Sequence, residues 1–176
     1  MNMEVSLRAW QEDDIPVVAK HANNQKIADN LRDNFPMPYT EDDARFLLNA
    51  QAKPSPTLLR FAVDVDGEAA GCISVERSRQ PASPVSGELG YWLGEAYWGR
   101  GVMPQAVRQI CKLAFEQLKV ERIYAEVFAF NSASIRVLEK SGFTLERTLR
   151  RGAVKNGKHT AVHVYSLLKQ DFHFHE

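Results

Sequence analysis

The chain has 176 residues, and its 22 Lys and Arg balance 22 Asp and Glu, so the formal net charge is zero. Hydrophobic residues make up 44% and charged residues 25%, a composition that can bury a core and argues against wholesale disorder. A neutral chain is a poor general nucleic-acid binder, and no apolar run approaches the roughly 20 residues that span a bilayer.

The opening residues Met1 to Arg8 lack the charged-then-apolar layout of a secretory signal. Cys72 and Cys111 sit in apolar segments without metal-like spacing, which argues against a disulfide scaffold and for a reducing cytoplasm. The expectation is one domain over residues 1–176, with no membrane partner and no direct nucleic-acid binding.

Val5-Ser6-Leu7-Arg8 alternates as an edge strand does. Gln11-Glu12-Asp13-Asp14 loads the start of a helix with carboxylates, and Ile15, Val18 and Ala19 form its apolar stripe, to about His21. The prolines in Asn34-Phe35-Pro36-Met37-Pro38-Tyr39 dictate a loop. Thr40 and Asp43 have nearly the spacing of a capping box, ahead of a helix through Ala44, Phe46, Leu47 and Leu48 that Lys53-Pro54-Ser55-Pro56 ends. Residues 58–65 and 69–75 are strands flanking the hairpin turn Asp66-Gly67. Residues 77–86 hold Pro81, Pro84 and several serines and read as a mobile connection, and residues 88–93 form a third strand.

Pro104 begins a helix on which Val107, Ile110, Cys111, Ala114 and Leu118 recur at three- and four-residue spacing. Residues 122–127 are a strand, and residues 132–141 a helix closed by Gly142. Residues 143–149 and 162–168 form a last strand pair around Asn156-Gly157, and the tail from Asp171 to Glu176 is expected to be loosely held.

Tyr97-Trp98-Gly99-Arg100-Gly101-Val102-Met103 lies between a strand and a helix. Its glycines permit a tight turn that exposes successive N–H groups at a helix N-terminus, an anion site suited to phosphate or pyrophosphate. A plain connector is the alternative, since no Gly-Lys-Ser/Thr follows and the dinucleotide fingerprint is incomplete. Farther on, Asn131 is a natural helix cap, with Ser134 about one turn in.

Taken together, residues 88–93, residues 97–101 and the string from Asn131 to Phe143 resemble the GNAT superfamily of acyl-CoA-dependent N-acetyltransferases. Within it, the chain is most similar to the RimJ/RimL-like branch of ribosomal-protein N-terminal acetyltransferases. Leu7-Arg8, the Asn34 to Tyr39 loop and Val162 to Leu168 fit the same pattern, so the likeness covers essentially the full length. The resemblance implies an α+β fold: a central mixed, mostly antiparallel sheet of about seven strands with helices on both faces. It also implies acetyl-CoA as co-substrate, with no metal, in a V-shaped opening between the strands at 88–93 and 122–127. The pantetheine arm would pair near Trp92 and Leu93, and the pyrophosphate would take the N–H groups of Gly99, Arg100, Gly101, Val102 and Met103. Asn131 and Ser134 would face the thioester, while Arg136 and Lys140 would meet the phosphates or simply face solvent.

Three positions depart from the family's pattern. Met103 stands where a small residue is usual, Pro104 removes a donor, and Leu138 replaces the tyrosine that many members use as an acid. In the RimJ/RimL-like branch a serine at the position of Ser134 is the usual substitute.

The implied reaction moves an acetyl group to a primary amine by direct attack, which needs a base and a donor for the thiolate. Glu88 is the candidate base, perturbed upward by a partly apolar setting; its alternative is a structural pairing with a neighbouring Arg. The Glu88 strand's backbone N–H groups would polarise the thioester carbonyl, and both cysteines read as core residues. Phe35, Met37 and Tyr39 either contact the acceptor or anchor their loop. The acceptor is a protein N-terminus or a small-molecule amine. Competing readings are a non-catalytic acyl-CoA-binding regulatory module and an antibiotic- or polyamine-modifying acetyltransferase.

Arg147, Arg150, Arg151, Lys155 and Lys158 read as a solvated hairpin, and His173 and His175 as tail residues rather than metal ligands. A homodimer is an expectation from the resemblance alone. Residues 1–99 carry 9 basic and 15 acidic residues, whereas residues 100–158 carry 12 and 5. That division suits an anionic cofactor and a cationic amine.

Overall fold

A computed structural model of the protein, described over residues 3–51, 55–78 and 85–174, contains a sheet of seven strands. The strands are β1 (Val5–Arg8), β2 (Leu58–Val65), β3 (Glu68–Arg77), β4 (Ser86–Leu93), β5 (Arg122–Phe128), β6 (Thr144–Lys155) and β7 (Lys158–Leu168). Their spatial order is β1-β2-β3-β4-β5-β7-β6. Among the described residues only β4 and β5 run parallel; every other pair is antiparallel. The expected α+β architecture, with a mixed, mostly antiparallel sheet, is the observed one.

The helices are α1 (Asp14–Ala22), α2 (Gln25–Ala28), α3 (Glu41–Gln51), α4 (Val102–Leu113) and α5 (Ser132–Lys140). On one face of the sheet, Ile15, Val18 and Ala22 of α1 pack with Tyr39, Ala44 of α3, Ala62 and Ala69. On the other, Val107, Ile110 and Cys111 of α4 and Leu138 of α5 pack on Val63, Ile73, Leu89 and Ile123. The three- and four-residue recurrence on α4 keeps its apolar side on the sheet. Each such side chain removed from water contributes about 1.5–3 kcal/mol.

Turn chemistry follows the sequence. Asp66 and Gly67 take φ of 51° and 94°, and Asn156 and Gly157 take 51° and 78°, the left-handed pair that joins twisted antiparallel strands. The capping box is reciprocal: Asp43 Oδ2 accepts the Thr40 N–H at 2.8 Å, and Thr40 Oγ1 accepts the Asp43 N–H at 3.3 Å.

Four readings are corrected. α2 has too little sequence periodicity to be seen; it is a four-residue turn whose cap Asn24 accepts the Lys26 N–H at 2.9 Å. α4 begins at Val102 rather than Pro104, because the first helical turn lacks intrahelical acceptors for its N–H groups and so tolerates proline within it. β6 and β7 extend through residues 150–161, with a register shift between Leu149 and Ala153 that the hydrophobic pattern does not reveal. The tail is docked as far as Phe174: Phe172 packs on the core with its ring 5.3 Å from Phe115, and Lys112 Nζ lies 4.8 Å from the Phe174 ring centroid. Pro54, Pro81, Pro84 and His175 lie outside the described residues. No helix among the described residues is long and apolar enough to cross a membrane.

Candidate active site

The parallel pairing at the centre of the sheet is short. Ser86, Gly87 and Glu88 stand opposite Arg122, Ile123 and Tyr124. Beyond that point β4 stays on β3 to Leu93 and β5 stays on β7 to Phe128, without pairing with each other. The sheet therefore opens as a V whose vertex is Glu88 and Tyr124.

The backbone groups that this opening frees can be identified. The Gly94 N–H donates to the Ala70 carbonyl at 2.8 Å, and the Ser78 N–H to the Ser86 carbonyl at 2.7 Å. By antiparallel alternation, the even-numbered residues of β4 bond to β3. The N–H and C=O groups of Leu89, Tyr91 and Leu93 consequently point away from β3, toward β5 and the V, while those of Trp92 are committed to β3. The last parallel bridge, Glu88 opposite Tyr124, engages the Leu89 N–H, and Trp98 Nε1 donates to the Leu93 carbonyl at 2.8 Å, leaving the carbonyls of Leu89 and Tyr91 and the N–H groups of Tyr91 and Leu93 along this arm.

Side chains of β4 alternate across the sheet. Leu89, Tyr91 and Leu93 join the core under α4 and α5, and Trp92 joins the cluster under α1 and α3. Glu88 shares the Trp92 face. There Arg32, from the segment after α2, bridges two carboxylates: its Nη2 lies 3.2 Å from Glu88 Oε1 and 2.8 Å from Glu126 Oε2. Burial pushes the Glu88 carboxyl above its ordinary range; Arg32 opposes the rise and Glu126 adds to it. The Tyr124 phenol is raised by burial and by the same two carboxylates. An upward-shifted carboxylate at the vertex of a cleft is chemically suited to accept a proton from an attacking nucleophile.

On the opposite face, the Tyr91 phenol oxygen lies 2.6 Å from Ser134 Oγ. Burial pushes this phenol up to about 12. Asn131 caps α5, its Oδ1 accepting the Ser134 N–H at 3.2 Å. Leu138 is completely buried, so the position at which the resemblance implies a tyrosine is a core position in this chain.

At the mouth, Gly99 and Gly101 adopt φ of 71° and 73°. A Cβ on either would meet no atom within 4 Å, so conformation alone requires glycine there, and the concave side is open. The N–H groups of Gly101, Val102 and Met103 have no intrahelical acceptor, and Pro104 supplies none. Met103 is 4% exposed, its side chain turned into the core, so its bulk does not fill the turn. Glu95, just upstream, is held by Lys26 Nζ at 2.6 Å and Asn24 Nδ2 at 2.7 Å.

The other singled-out residues separate. Arg100, Arg136 and Lys140 are exposed, and the Lys140 carbonyl accepts from Arg108 Nη2 at 2.9 Å. A shallow depression of about 320 Å³, lined by Arg108, Lys140 and Phe172, lies at the C-terminal end of α5, away from the Asn131 end that adjoins the V. Tyr39 is buried and its N–H is tied to Asn23 Oδ1 at 3.2 Å, which makes it an anchor. Phe35 bridges it to the site, with ring centroids 5.3 Å from Tyr39 and 6.3 Å from Trp92. Met37 is exposed. Cys72 and Cys111 are buried, and burial pushes both thiols up, as befits core residues.

Three residues at the V escaped sequence reasoning. Arg32 is 56 residues from Glu88 and 94 from Glu126, and no local pattern links them. Glu126 alternates out of an apolar strand, the one signal that could have marked it. Tyr91 reads as an ordinary strand aromatic.

Comparison with known proteins agrees with this geometry. The family described as "Acetyltransferase (GNAT) domain" matches residues 4–144. The "Probable N-acetyltransferase YjcK" of Bacillus subtilis is 41% identical over 83 residues, 47% of this chain and 46% of that protein. The chain spans about half the length of the first curated relatives it matches. Among solved structures, Mycobacterium smegmatis RimJ in complex with CoA-disulfide superposes with a TM-score of 0.84 at 20% identity, over 96% of this chain and 85% of that one. The spermidine N-acetyltransferase of Vibrio cholerae, in complex with CoA and spermine, gives 0.78 at 22% identity, over 96% and 97%. With an open V at β4/β5, a double-glycine turn at its mouth and a family match spanning most of its length, the chain belongs to the GNAT acetyltransferase family.

Proposed function

We infer that the protein transfers the acetyl group of acetyl-CoA to a primary amine by direct attack. The observation that carries this reading is the arrangement around the V. A carboxylate raised by burial, Glu88, stands at its vertex on the α1/α3 face, and a serine hydroxyl, Ser134, faces β4 from the α5 side.

The residues fit the co-substrate. The open concavity at Gly99 and Gly101 and the free N–H groups of Gly101, Val102 and Met103 suit a pyrophosphate. The pairing edge of Leu89, Tyr91 and Leu93 suits an amide-bearing pantetheine arm. Arg100 and Arg136 are exposed cations available to the phosphates, worth little individually in solvent, whereas Lys140 lies at the far end of α5. The amine nitrogen attacks the acetyl carbon, Glu88 takes its proton directly or through water, and backbone N–H groups of the β4 arm stabilise charge on the carbonyl oxygen. Asn131 shapes the N-terminus of α5, and Ser134 donates to the departing sulfur. Neither cysteine acts as a nucleophile.

The acceptor approaches from the α1/α3 face, where Phe35, Met37, Trp92 and the Glu88–Arg32–Glu126 group form the wall. Tyr39 supports that wall from behind. Two carboxylates against one guanidinium favour a cationic amine. The spermine-bound Vibrio cholerae neighbour supports a small polyamine, and the resemblance to the RimJ/RimL-like branch supports a protein N-terminus.

Release of free thiol from acetyl-CoA, measured against a panel of polyamines, amino acids and amino-terminal peptides, tests the reading. Amine-dependent release is expected, and Glu88→Gln should lose turnover far more than acetyl-CoA affinity. Calorimetric binding of acetyl-CoA without thiol release for any amine would instead assign an acyl-CoA-binding regulatory module.

A further inference from the structure

The Tyr91 hydroxyl has no part in the scheme above, yet it occupies a singular place. Tyr91 belongs to the arm of β4 that has parted from β5, and Ser134 belongs to the helix that follows β5. Their 2.6 Å contact therefore ties the two arms of the V together on the α4/α5 face, close to the freed Tyr91 backbone.

The direction of this hydrogen bond follows from chemistry. A phenol is a stronger acid than an aliphatic hydroxyl and hence the better donor. Burial keeps the Tyr91 phenol protonated through the neutral range. Its other acceptor, the Ser134 carbonyl oxygen, is farther away at 3.4 Å. The Tyr91 O–H accordingly donates to Ser134 Oγ, and the single Ser134 proton is left for another partner. Without the phenol, a serine in the first turn of a helix readily turns its hydroxyl back onto a local carbonyl, where it could not serve the cleft. An oxygen that accepts a hydrogen bond is also polarised into a better donor, so the chain from Tyr91 through Ser134 to an anion is cooperative.

We propose that Tyr91 is the positioning residue for the departing sulfur: by donating to Ser134 Oγ it holds the Ser134 hydroxyl with its O–H directed into the opening between β4 and β5, where it donates a hydrogen bond to the leaving thiolate. This rests on the reading that the chain is an acetyltransferase in which Ser134 meets the sulfur. In the transfer, the amine lone pair forms the C–N bond and the C–S pair moves onto sulfur. The proton leaving nitrogen goes to Glu88 and then to solvent. The Ser134 O–H stabilises the negative sulfur until solvent supplies the proton that makes the free thiol. Tyr91 and Ser134 both keep their own protons, so the net change is one proton from nitrogen to sulfur.

A double-mutant cycle of Tyr91→Phe and Ser134→Ala, read as kcat and as KM for acetyl-CoA, tests the proposal. Loss of one oriented donor predicts that Tyr91→Phe lowers kcat about tenfold while KM for acetyl-CoA changes little. In the Ser134→Ala background the same change should have no further effect on kcat. An equal loss in both backgrounds would make Tyr91 a packing residue and overturn the proposal. A slow Ser134→Ala enzyme beside an unimpaired Tyr91→Phe enzyme would overturn it while leaving the role of Ser134 standing. Full activity of Ser134→Ala would remove the role of Ser134, and the proposal with it. A ring-fluorinated tyrosine at position 91, which preserves shape but titrates lower, guards against misfolding of the phenylalanine variant. Its kcat should fall at a lower pH than that of the wild type, and coincident profiles would count against Tyr91.

Discussion

Arg32 Nη2 lies 3.2 Å from Glu88 Oε1, joining a segment that follows α2 to the vertex of the V. The guanidinium also reaches Glu126 at 2.8 Å, so one exposed side chain holds two carboxylates of neighbouring strands together. This arrangement reconciles the two roles read from sequence for Glu88. It is paired with an Arg, and burial still pushes it upward.

Replacing Arg32 with Met separates those influences. The guanidinium lowers the Glu88 pKa against burial, so Arg32→Met should raise it further. If Glu88 is the base, the acid limb of the kcat/KM profile moves to higher pH in this variant. An acid limb that stays in place would show that another group accepts the proton.

Gly101 is the second test. Its φ of 73° costs an L residue about 1–2 kcal/mol, while its Cβ would have free space. Gly101→Ala should therefore lower stability by about 1 kcal/mol through the backbone alone. Because the strained residue sits between the free N–H groups of the turn, KM for acetyl-CoA should rise several-fold with kcat at saturation retained. Thermal melts and initial rates across acetyl-CoA concentrations check both halves.

These two sites show what the sequence could and could not disclose. The double-glycine turn, the Asn131 cap and the Thr40–Asp43 box are local, and local patterns carry their own physics, so they were legible. Hairpin turns at Asp66-Gly67 and Asn156-Gly157 were legible for the same reason. The Arg32 bridge and the Tyr91–Ser134 contact depend on which strands lie side by side and on where the β4/β5 pairing stops. No spacing in the chain encodes that end point. The charge division was only partly informative, since Glu126 comes from the basic stretch and Arg32 from the acidic one. Asp14 looked like an ordinary helix-start carboxylate but is buried in an ion group.

Lys155 supplies the third prediction. Its Nζ donates to the Ala28 carbonyl at 2.8 Å and pairs with Asp33 at 3.0 Å, and Asp33 also accepts the Asn156 N–H at 3.2 Å. These contacts pin the β6/β7 turn to the segment that carries Arg32. Lys155→Met should speed amide hydrogen exchange in residues 28–34 and 153–158 while the central strands keep their protection. KM for the amine should rise more than KM for acetyl-CoA, because the loosened segment borders the α1/α3 face. Exchange that is unchanged in residues 28–34 would show the clasp to be dispensable.

Arg8 gives the stability test. Its Nη1 lies 2.8 Å and its Nη2 3.0 Å from the Asp14 carboxylate, while its Nε is 2.6 Å from Asp64 Oδ2. Burial by itself would raise the Asp14 pKa, but hydrogen bonds from Arg8 and the Gln11 N–H hold it below the ordinary 3.8. Arg8→Met leaves two largely buried carboxylates without their cation and should cost about 3 kcal/mol at neutral pH. The sign of the pH dependence follows from the depressed pKa. Stability gained from the Asp14 carboxylate is full above its unfolded value and is lost as pH falls through the folded one. In the variant, burial is no longer countered by Arg8, so protonation of Asp14 relieves the folded state. The stability gap between wild type and Arg8→Met, measured by urea unfolding, should therefore start to narrow above pH 3.8, as the variant's Asp14 takes up a proton, and keep narrowing below it, as the wild type loses its stabilised carboxylate. A gap independent of pH would place the loss in packing of the Arg8 stem instead of its charge.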